Sequence, residues 1–317
     1  MSVDRSLQVA LAGLAYDRGE VRLAGHDLSG CDHLVASRHG LFAVNPLEHR
    51  LIAHGLFFGL AIEGNDIFAF EACDRPRAAS KRGRIVRLTR DANRIVSVAI
   101  IAQGLDNGCH QIDLIGDTLF IADTYRQRIV AVGRDGWRFE YTPLPVLVQR
   151  GWATDYAHVN SLIASGDHRL ILLHNGVDAS HSEIALLDAD WRLLERRPLA
   201  GQGCHNFAIL EDGSLLCCGS LAGELIGSDG LRVKVTDLMT RGLSVGADTV
   251  LVGGSAFSER DSRDKLPGAL YFLDRDYRTL ATLKMPGPPT EIRRIDGNDL
   301  SLSNHVRSLN LELRWPT

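Results

Sequence analysis

The chain has 317 residues, of which 45% are hydrophobic and 23% are charged, and its formal net charge is −4 at pH 7. These values are typical of a globular protein with a large apolar core, and the length allows one large domain or two smaller ones. The slightly acidic balance excludes a strongly basic nucleic-acid-binding surface, so we expect no nucleic-acid partner.

We expect no targeting signal in the N-terminal segment. Residues 1–20 do not show a positively charged start followed by an apolar stretch, which a signal peptide requires. The sequence also has no apolar run near the roughly 18 residues of a membrane-spanning helix. Its six cysteines form no CxxC pair and indicate reduced thiols. We therefore expect a cytoplasmic protein with no membrane association.

A strand–turn–strand unit recurs along the chain. Each copy has a short apolar strand, a Gly, Asp or Asn turn and a second apolar strand, which is typical of an antiparallel hairpin. Most copies are followed by a third and a fourth candidate strand. The turn and second strand of successive copies fall at 37–45, 64–72, 116–124, 167–175, 212–220, 246–254 and 297–304. Tandem four-stranded antiparallel units predict an all-β fold, a β-propeller.

The number of copies predicts six or seven blades, with seven favoured. The unit at 32–57 is short and has no clear outer strand. The N-terminal strand at 6–14 is predicted to pair with 308–315 and to close the ring, because closure removes exposed sheet edges. The whole chain, 1–317, is then one propeller domain.

Three histidines occupy the start of the first strand in consecutive units. His110, His158 and His205 are 48 and 47 residues apart, within the phrases "GCHQ", "AHVN" and "GCHN". The first strand of a propeller blade lines the central channel, so these imidazoles are predicted to converge near its axis. The same position in the other units is assigned to Asp32, Phe58, Arg241 and Glu291.

Three interpretations of the histidines are open. Three neutral imidazoles with an open coordination position suit Zn, Fe or Cu. The same rings can act without metal as general acids or bases. They can also be structural residues that bind the neighbouring backbone.

Polar residues near the histidines complete the candidate catalytic set. Asp113 and Asn206 follow channel histidines and are candidates to orient an imidazole. Arg241 is a candidate to bind a substrate carboxylate, or else to pair with Glu291. Asp32 is placed at the same level of the channel.

The stretch "CHQIDLIGDTLFIADTYRQRIVAV" resembles an NHL-type propeller repeat. Together with "DYAHVNSLIA" (155–164), it also resembles the bacterial DUF4915 propeller family, and the similarity is good over about 105–175. This resemblance implies the propeller fold.

Three enzyme families with related propellers suggest what the channel does. The peptidyl-hydroxyglycine lyase domain holds zinc with three histidines at blade starts, and His110, His158 and His205 are similar in position. Virginiamycin B lyase-like propellers also use channel histidines. Gluconolactonase-like propellers hold calcium with Glu, Asn and Asp, for which the matching residues are Glu291, Asn160, Asn206 and Asp32.

Two functions of different class follow from the sequence. The first is a metal-dependent enzyme that acts on a small molecule or peptide by lyase, hydrolytic or oxidative chemistry. The second is a non-catalytic propeller that binds a partner on one rim. The insertions at 73–84, 144–156 and 255–268 are predicted to cover the channel, with Trp152 and Tyr156 near His158.

Overall fold

The structure is a computed structural model that describes residues 19–74, 78–134, 136–144, 156–175, 181–258, 262, 265–311, 313 and 314. The described strands form six antiparallel sheets, the blades of a propeller. The strands of every blade are named from the innermost outward. Blade 1 contains β25 (Pro289–Arg294), β2 (His33–Ser37), β3 (Gly40–Val44), β4 (His49–His54) and β1 (Arg22–Leu23). Blade 2 contains β5 (Phe57–Glu63), β6 (Asp66–Glu71), β7 (Gly83–Asp91) and β8 (Arg94–Leu105).

The other four blades each follow the chain in order. Blade 3 contains β9 (Cys109–Ile115), β10 (Thr118–Asp123), β11 (Arg128–Gly133) and β12 (Arg138–Tyr141). Blade 4 contains β13 (Val159–Ser165), β14 (His168–Leu173), β15 (Glu183–Leu187) and β16 (Leu193–Pro198). Blade 5 contains β17 (His205–Ile209), β18 (Leu215–Gly219), β19 (Glu224–Gly227) and β20 (Arg232–Lys234). Blade 6 contains β21 (Met239–Val245), β22 (Val250–Ser255), β23 (Gly268–Leu273) and β24 (Thr279–Met285). A 3₁₀ helix spans Ser220–Ala222, and helix α1 spans Ser303–Ser308.

The hairpins follow from the turn residues that the sequence shows. Three inner hairpins turn at Gly64, Gly116 and Gly166, whose φ angles are 56°, 60° and 53°. Glycine adopts this left-handed conformation without the steric cost of a Cβ atom. The turns therefore fix the register of the flanking strands, in which Ile115 pairs with Thr118 and Ser165 with His168.

The six inner strands form a closed ring around the channel. Each contacts the next in the order β5, β9, β13, β17, β21 and β25, and β25 contacts β5. The apolar clusters lie between neighbouring blades; one of them joins Phe68 and Phe70 of blade 2 to Ile112 and Leu119 of blade 3. Stability therefore comes from blade-to-blade packing around the ring.

The predicted seventh blade is wrong. Two of the seven repeat units, those that contain 37–45 and 297–304, together give a single blade. The first of them supplies β2 and β3, and the innermost strand of this blade is β25 from near the other end of the sequence. The unit at 297–304 does not contribute a second strand, because the chain turns after β25 and enters α1. The described residues therefore hold six blades.

The ring is closed by a C-terminal strand. β25 pairs with β2 through Val35–Ile292 and Ala36–Glu291, which joins both ends of the chain in blade 1. Residues 6–14, predicted to close the ring, lie outside the described residues. In the described part of 308–315 no strand is present; instead, Leu311 and Leu313 pack against apolar clusters.

Helix α1 covers the end of the channel where the inner hairpins turn. The Ser303 hydroxyl donates to Asp113 of β9 and accepts from the Ala164 amide of β13 at 2.8 Å. The Asn304 side chain bonds Gly116 and also donates to Glu63, at the end of β5, at 2.9 Å. The opposite end, where the inner strands begin, is the mouth of the channel. No helix among the described residues is long and apolar enough to cross a membrane.

Candidate active site

Four imidazole rings lie together at the channel mouth; we call His110, His158, His174 and His205 the imidazole cluster. The ring centroids of His110 and His158 are 5.4 Å apart, and those of His158 and His205 are 6.4 Å apart. His174 stacks on His158 at 4.6 Å and meets the edge of His205 at 4.9 Å. The structure therefore brings together the three histidines that the repeat spacing singles out and adds a fourth.

Hydrogen bonds set the tautomer of two of these rings. Nδ1 of His110 lies 2.9 Å from the Gly108 carbonyl oxygen, and Nδ1 of His205 lies 2.8 Å from that of Gly203. A carbonyl oxygen only accepts, so each Nδ1 must carry the proton. In a neutral ring the lone pair then lies on Nε2. The Ser220 hydroxyl, which donates to the Thr240 carbonyl at 2.5 Å, also accepts from Nδ1 of His205.

Burial keeps these two imidazoles neutral. Desolvation, with the positive charge of Arg241 as the next cause, lowers the pKa of His110 to about 3. Desolvation also lowers the pKa of His205 well below its usual value, with contributions from Arg241 and the other histidines of the cluster. Neutral imidazole is the form that ligates a metal or accepts a proton.

The repeated Gly-Cys-His phrase now has a structural explanation. Gly108 and Gly203 supply the carbonyls that hold the following histidines, Cys109 and Cys204 turn into apolar clusters between the blades, and the histidines face the channel. A Cβ on Gly108 would lie 2.0 Å from the Tyr125 ring. The glycine is therefore required by a close approach of the backbone to an aromatic ring.

We expect Gly108→Ala to lower the free energy of unfolding by about 1–3 kcal/mol, because Tyr125 or the backbone must move. Gly108 does not have a positive φ, so alanine fits its backbone conformation and the cost comes from this contact. Thermal or denaturant unfolding measures the loss. Gly108→Ala combined with Tyr125→Ala should lose less stability than the two single changes together; an additive loss would show that the contact is not the cause.

His158 reaches the cluster from a different register. Cys109 and Val159 pair with equivalent residues of their second strands, so Asn160 is the counterpart of His110. His158 lies just before β13 and has a φ of 53°, a left-handed conformation uncommon for this residue type. The predicted common register is therefore wrong for His158, although its ring joins the cluster. Its neighbour Tyr156 lies 5.4 Å from the His158 ring, as predicted; Trp152 lies outside the described residues.

The repeat spacing does not predict His174, because this residue follows a second strand, β14. Its amide donates to the His158 carbonyl at 3.2 Å, so the hairpin itself brings the two rings together. The only signal in the sequence is a histidine at the end of the apolar run "LILLH".

Arg241 lies at the channel mouth, as predicted. It is on β21 and lines a pocket with Arg38, His205, Ser220 and Ser255. Arg38 comes from the turn between β2 and β3, and its Cζ lies 5.2 Å from the centroid of the Phe58 ring. Phe58 in turn lies 5.9 Å from the His110 ring.

Glu291 and Asn206 lie beneath the cluster and bind each other. The Asn206 amide donates to Glu291 Oε1 at 2.9 Å, and its oxygen accepts from the Gly242 amide at 2.7 Å. Glu291 pairs with Arg293 at 2.6 Å and not with Arg241. Burial raises the pKa of Glu291 to about 7, although Arg293 opposes this shift. Asn206 is predicted to orient an imidazole, but the two backbone carbonyls perform that role.

Asp113 and Asp32 are not part of the mouth. Asp113 lies toward the other end of β9, where it accepts from the Leu114 amide at 2.8 Å and from the Ser303 amide at 3.0 Å. Burial raises its pKa to about 6. Asp32 is exposed and precedes β2, a second strand, so its predicted position in the channel is wrong. The wrong blade count has the same cause, because β25 and not β2 is the innermost strand of blade 1.

The donor atoms do not converge on one point in this arrangement. Within the described residues, no three His, Cys, Asp or Glu side chains are arranged so that they would hold a metal ion. All six cysteines are free thiols. A metal at the cluster would therefore require at least one ring to turn.

Comparisons with solved structures show the fold. The chain is similar to a chain of the nidogen/laminin complex, with a TM-score of 0.59 and 13% identity over 85% of this chain and 100% of that chain. It is also similar to a protein of unknown function from Bacteroides caccae, with a TM-score of 0.55 and 16% identity over 84% of this chain and 99% of that one. A streptogramin B lyase gives a TM-score of 0.49 and 11% identity over 76% of this chain and 88% of that one.

Comparison with models of known families gives no match, and comparison with curated protein sequences gives none either. At these identities the first two structural similarities support the propeller and carry no activity with them.

Proposed function

We propose that the protein is a metal-dependent enzyme that acts on a small molecule or peptide at the imidazole cluster. One divalent transition metal (Zn, Fe or Cu) would be held by His110, His158 and His205. The observation that carries this proposal is the tautomer of the two fixed rings. Because their Nδ1 atoms donate to backbone carbonyls, Nε2 is left as the ligating nitrogen, and such a hydrogen bond on the second nitrogen is the usual support of a metal-binding histidine.

The distances of the His158 ring from the other two rings are compatible with this proposal. Three imidazoles bound to one tetrahedral metal through nitrogens at about 2.1 Å have ring centroids roughly 5 Å apart. The centroid distances from His158 are 5.4 Å to His110 and 6.4 Å to His205. His110 and His205 are held by their carbonyls and make no ring contact with each other among the described residues, so a shared metal would need His158 to turn and these two rings to approach each other. A side chain moved about 30° from its preferred rotamer costs only about 1 kcal/mol.

The metal and the side chains around the imidazole cluster would have separate roles in the reaction. A metal bound here would polarise a substrate oxygen or lower the pKa of a bound water, which suits lyase, hydrolytic or oxidative chemistry. His174 contacts both His158 and His205, and in this proposal it would exchange a proton with the substrate. Phe58 and Tyr156 provide aromatic surface beside the rings of His110 and His158. Helix α1 covers the far end, so substrate would enter at the mouth.

Calcium is less well supported as the metal. Of the four residues that resemble the calcium ligands of gluconolactonase-like propellers, Asp32 is outside the channel. Glu291 and Asn206 are bonded to each other, and the guanidinium of Arg293 lies 2.6 Å from Glu291 Oε1. A guanidinium at this position repels a divalent cation.

We expect the purified protein to contain close to one transition metal ion per chain when Zn, Fe and Cu are supplied during expression. His110→Ala, His158→Ala and His205→Ala should each reduce the metal content at least tenfold, because each removes one of three ligands. His174→Ala should retain the metal and reduce turnover. Elemental analysis of the purified variants measures the metal, and circular dichroism confirms the fold.

His168→Ala is the matched control, since His168 is exposed at the start of β14 in the same blade. It should leave the metal content unchanged. An equal, near-zero metal content of the wild type and of His158→Ala would overturn the proposed metal site and leave a metal-free imidazole site.

A further inference from the structure

A layer of polar side chains lies in the channel directly beneath the imidazole cluster. Asn160 is the counterpart of His110 on the neighbouring inner strand, so its side chain faces the channel at the same level. Asn206 follows His205, and its amide group donates to Glu291 Oε1 of β25 at 2.9 Å. The layer therefore borders the cluster at two points, beside His110 and beside His205.

Three polar atoms of the layer have no hydrogen-bond partner among the described residues. They are Nδ2 of Asn160, Oε2 of Glu291 and Nε of Arg293, and all three side chains are almost fully buried. Ser161 sets the orientation of the Asn160 amide. Its hydroxyl accepts from the backbone amide of Asn206 at 3.2 Å, so its single hydrogen goes to Asn160 Oδ1 at 2.8 Å and Nδ2 is left as a donor. Arg293 and Glu291 are two residues apart on β25 and therefore share its channel face.

We propose that ordered water is bound in the channel between Asn160 and Glu291, and that it carries protons between the Glu291 carboxyl and the channel mouth. Buried polar groups are nearly always hydrogen-bonded, and a buried water makes about three such bonds to groups that the protein leaves unsatisfied. Here two donors and one acceptor are available to it. When Glu291 releases its proton, the Oε2–H bond breaks, the water takes that proton, and one of the water's own hydrogens passes to the next water toward the mouth.

The Glu291 carboxyl is suited to this exchange. Burial raises its pKa to about 7, so the group takes up and releases a proton near neutral pH. Among the charged groups that face it, Arg293 opposes this shift, while Asp299 and Asp113 add to it. Arg241 lies on the neighbouring strand β21 and lines the mouth above. In the proposed reaction Glu291 would store a proton for the imidazole cluster without contacting the metal. That role rests on the proposed function, whereas the water site does not.

The test is the rate at which the Glu291 carboxyl exchanges its proton for deuterium. Infrared spectroscopy follows the carboxyl band after the protein is mixed into D2O at about pH 5, where Glu291 is protonated. The difference from Glu291→Gln assigns the band and separates it from that of Asp113, whose pKa burial raises to about 6. We expect the Glu291 band to shift within the mixing time, whereas buried backbone amides exchange only when the structure opens. Exchange of the carboxyl at the slow rate of these amides would overturn the proposal.

Asn160→Leu tests the water site itself, because leucine has a similar size and no donor. We expect it to slow the exchange of the Glu291 carboxyl about tenfold or more, toward the rate of the buried amides. Asn65→Leu, in the exposed turn between β5 and β6, is the matched control and should leave the exchange unchanged. Fast exchange in Asn160→Leu would overturn the proposed site. If that variant does not fold, the rate in the wild type decides the proposal.

The metal site and the water site can fail independently. Chelator-treated protein and His158→Ala should exchange the Glu291 proton as fast as the untreated wild type, so loss of the metal does not change this result. Slow exchange in the wild type would overturn the water site and leave the expected metal content of the purified protein untouched.

Discussion

A chain that ends at residue 286 should fail to form the propeller. This truncation removes β25, the innermost strand of blade 1, which contacts the inner strands on both sides and pairs with β2. Thr290, Glu291, Ile292 and Arg293 of this strand are buried. Truncation of one buried Ile to Ala costs about 2–5 kcal/mol, while a whole domain is stable by only about 5–15 kcal/mol. Loss of the strand should therefore exceed the total stability, with aggregation or no cooperative thermal transition.

A chain that ends at residue 311 is the matched control. It keeps β25, α1 and Leu311, which packs against two apolar clusters. It loses the packing of Leu313 and the bond from the Arg314 amide to Gly213. We expect a cooperative transition at a reduced temperature. A soluble, cooperatively folded chain of 286 residues would show that the ring does not depend on β25.

Local sequence patterns predict the hairpins of this fold but not the number of its blades. Alternating strands and turn glycines such as Gly64 and Gly116 identify the hairpins because they act over a few residues. The blade count depends on a pairing between segments about 250 residues apart, β2 and β25. Neither strand carries a local signal for its partner. One blade split between the two ends of the chain therefore looks like two in the sequence.

The repeat pattern also predicts part of the candidate site. Periodicity identifies His110 and His205, whose backbones are equivalent. It also identifies His158, although His158 is displaced from that position and reaches the cluster through a left-handed backbone conformation. His174 belongs to a second strand, so no repeat position marks it. The need for a glycine at position 108 comes from the close approach to Tyr125, which only the structure shows.

The buried pair Glu291–Arg293 makes stability depend on pH. Arg293 also donates to the Ile292 carbonyl at 2.8 Å and to the Ser301 hydroxyl at 3.1 Å, and it is almost fully buried. Burial raises the pKa of Glu291 from 4.5 to about 7. A raised folded-state pKa contributes stability below the unfolded value, and this contribution is lost as the pH rises through the folded value.

Glu291→Gln tests the carboxyl group by itself. The shift of the Glu291 pKa from 4.5 to about 7 corresponds to about 3 kcal/mol, at about 1.4 kcal/mol for each pKa unit. The free energy of unfolding of the wild type should therefore fall by about that amount, relative to Glu291→Gln, between pH 4.5 and pH 8. Equal pH profiles of the two proteins in urea unfolding would show that Glu291 does not titrate in this range.

Arg293→Met should be more destabilising than Gly108→Ala or Glu291→Gln. It leaves Glu291 in the interior without its counter-ion, and breaking a buried pair in this way costs about 3–5 kcal/mol. The loss should be largest at pH 8, where the carboxyl must either ionise unpaired or take up a proton, and smaller near pH 4.5, where it is already protonated. The combination with Glu291→Gln should recover part of the loss at pH 8, because a neutral amide replaces the unpaired charge. Urea unfolding of the wild type, both single variants and the double variant at the two pH values measures this coupling. A loss that is the same at both pH values and is not reduced by Glu291→Gln would mean that Arg293 stabilises the channel through its carbonyl and hydroxyl contacts and not through its charge.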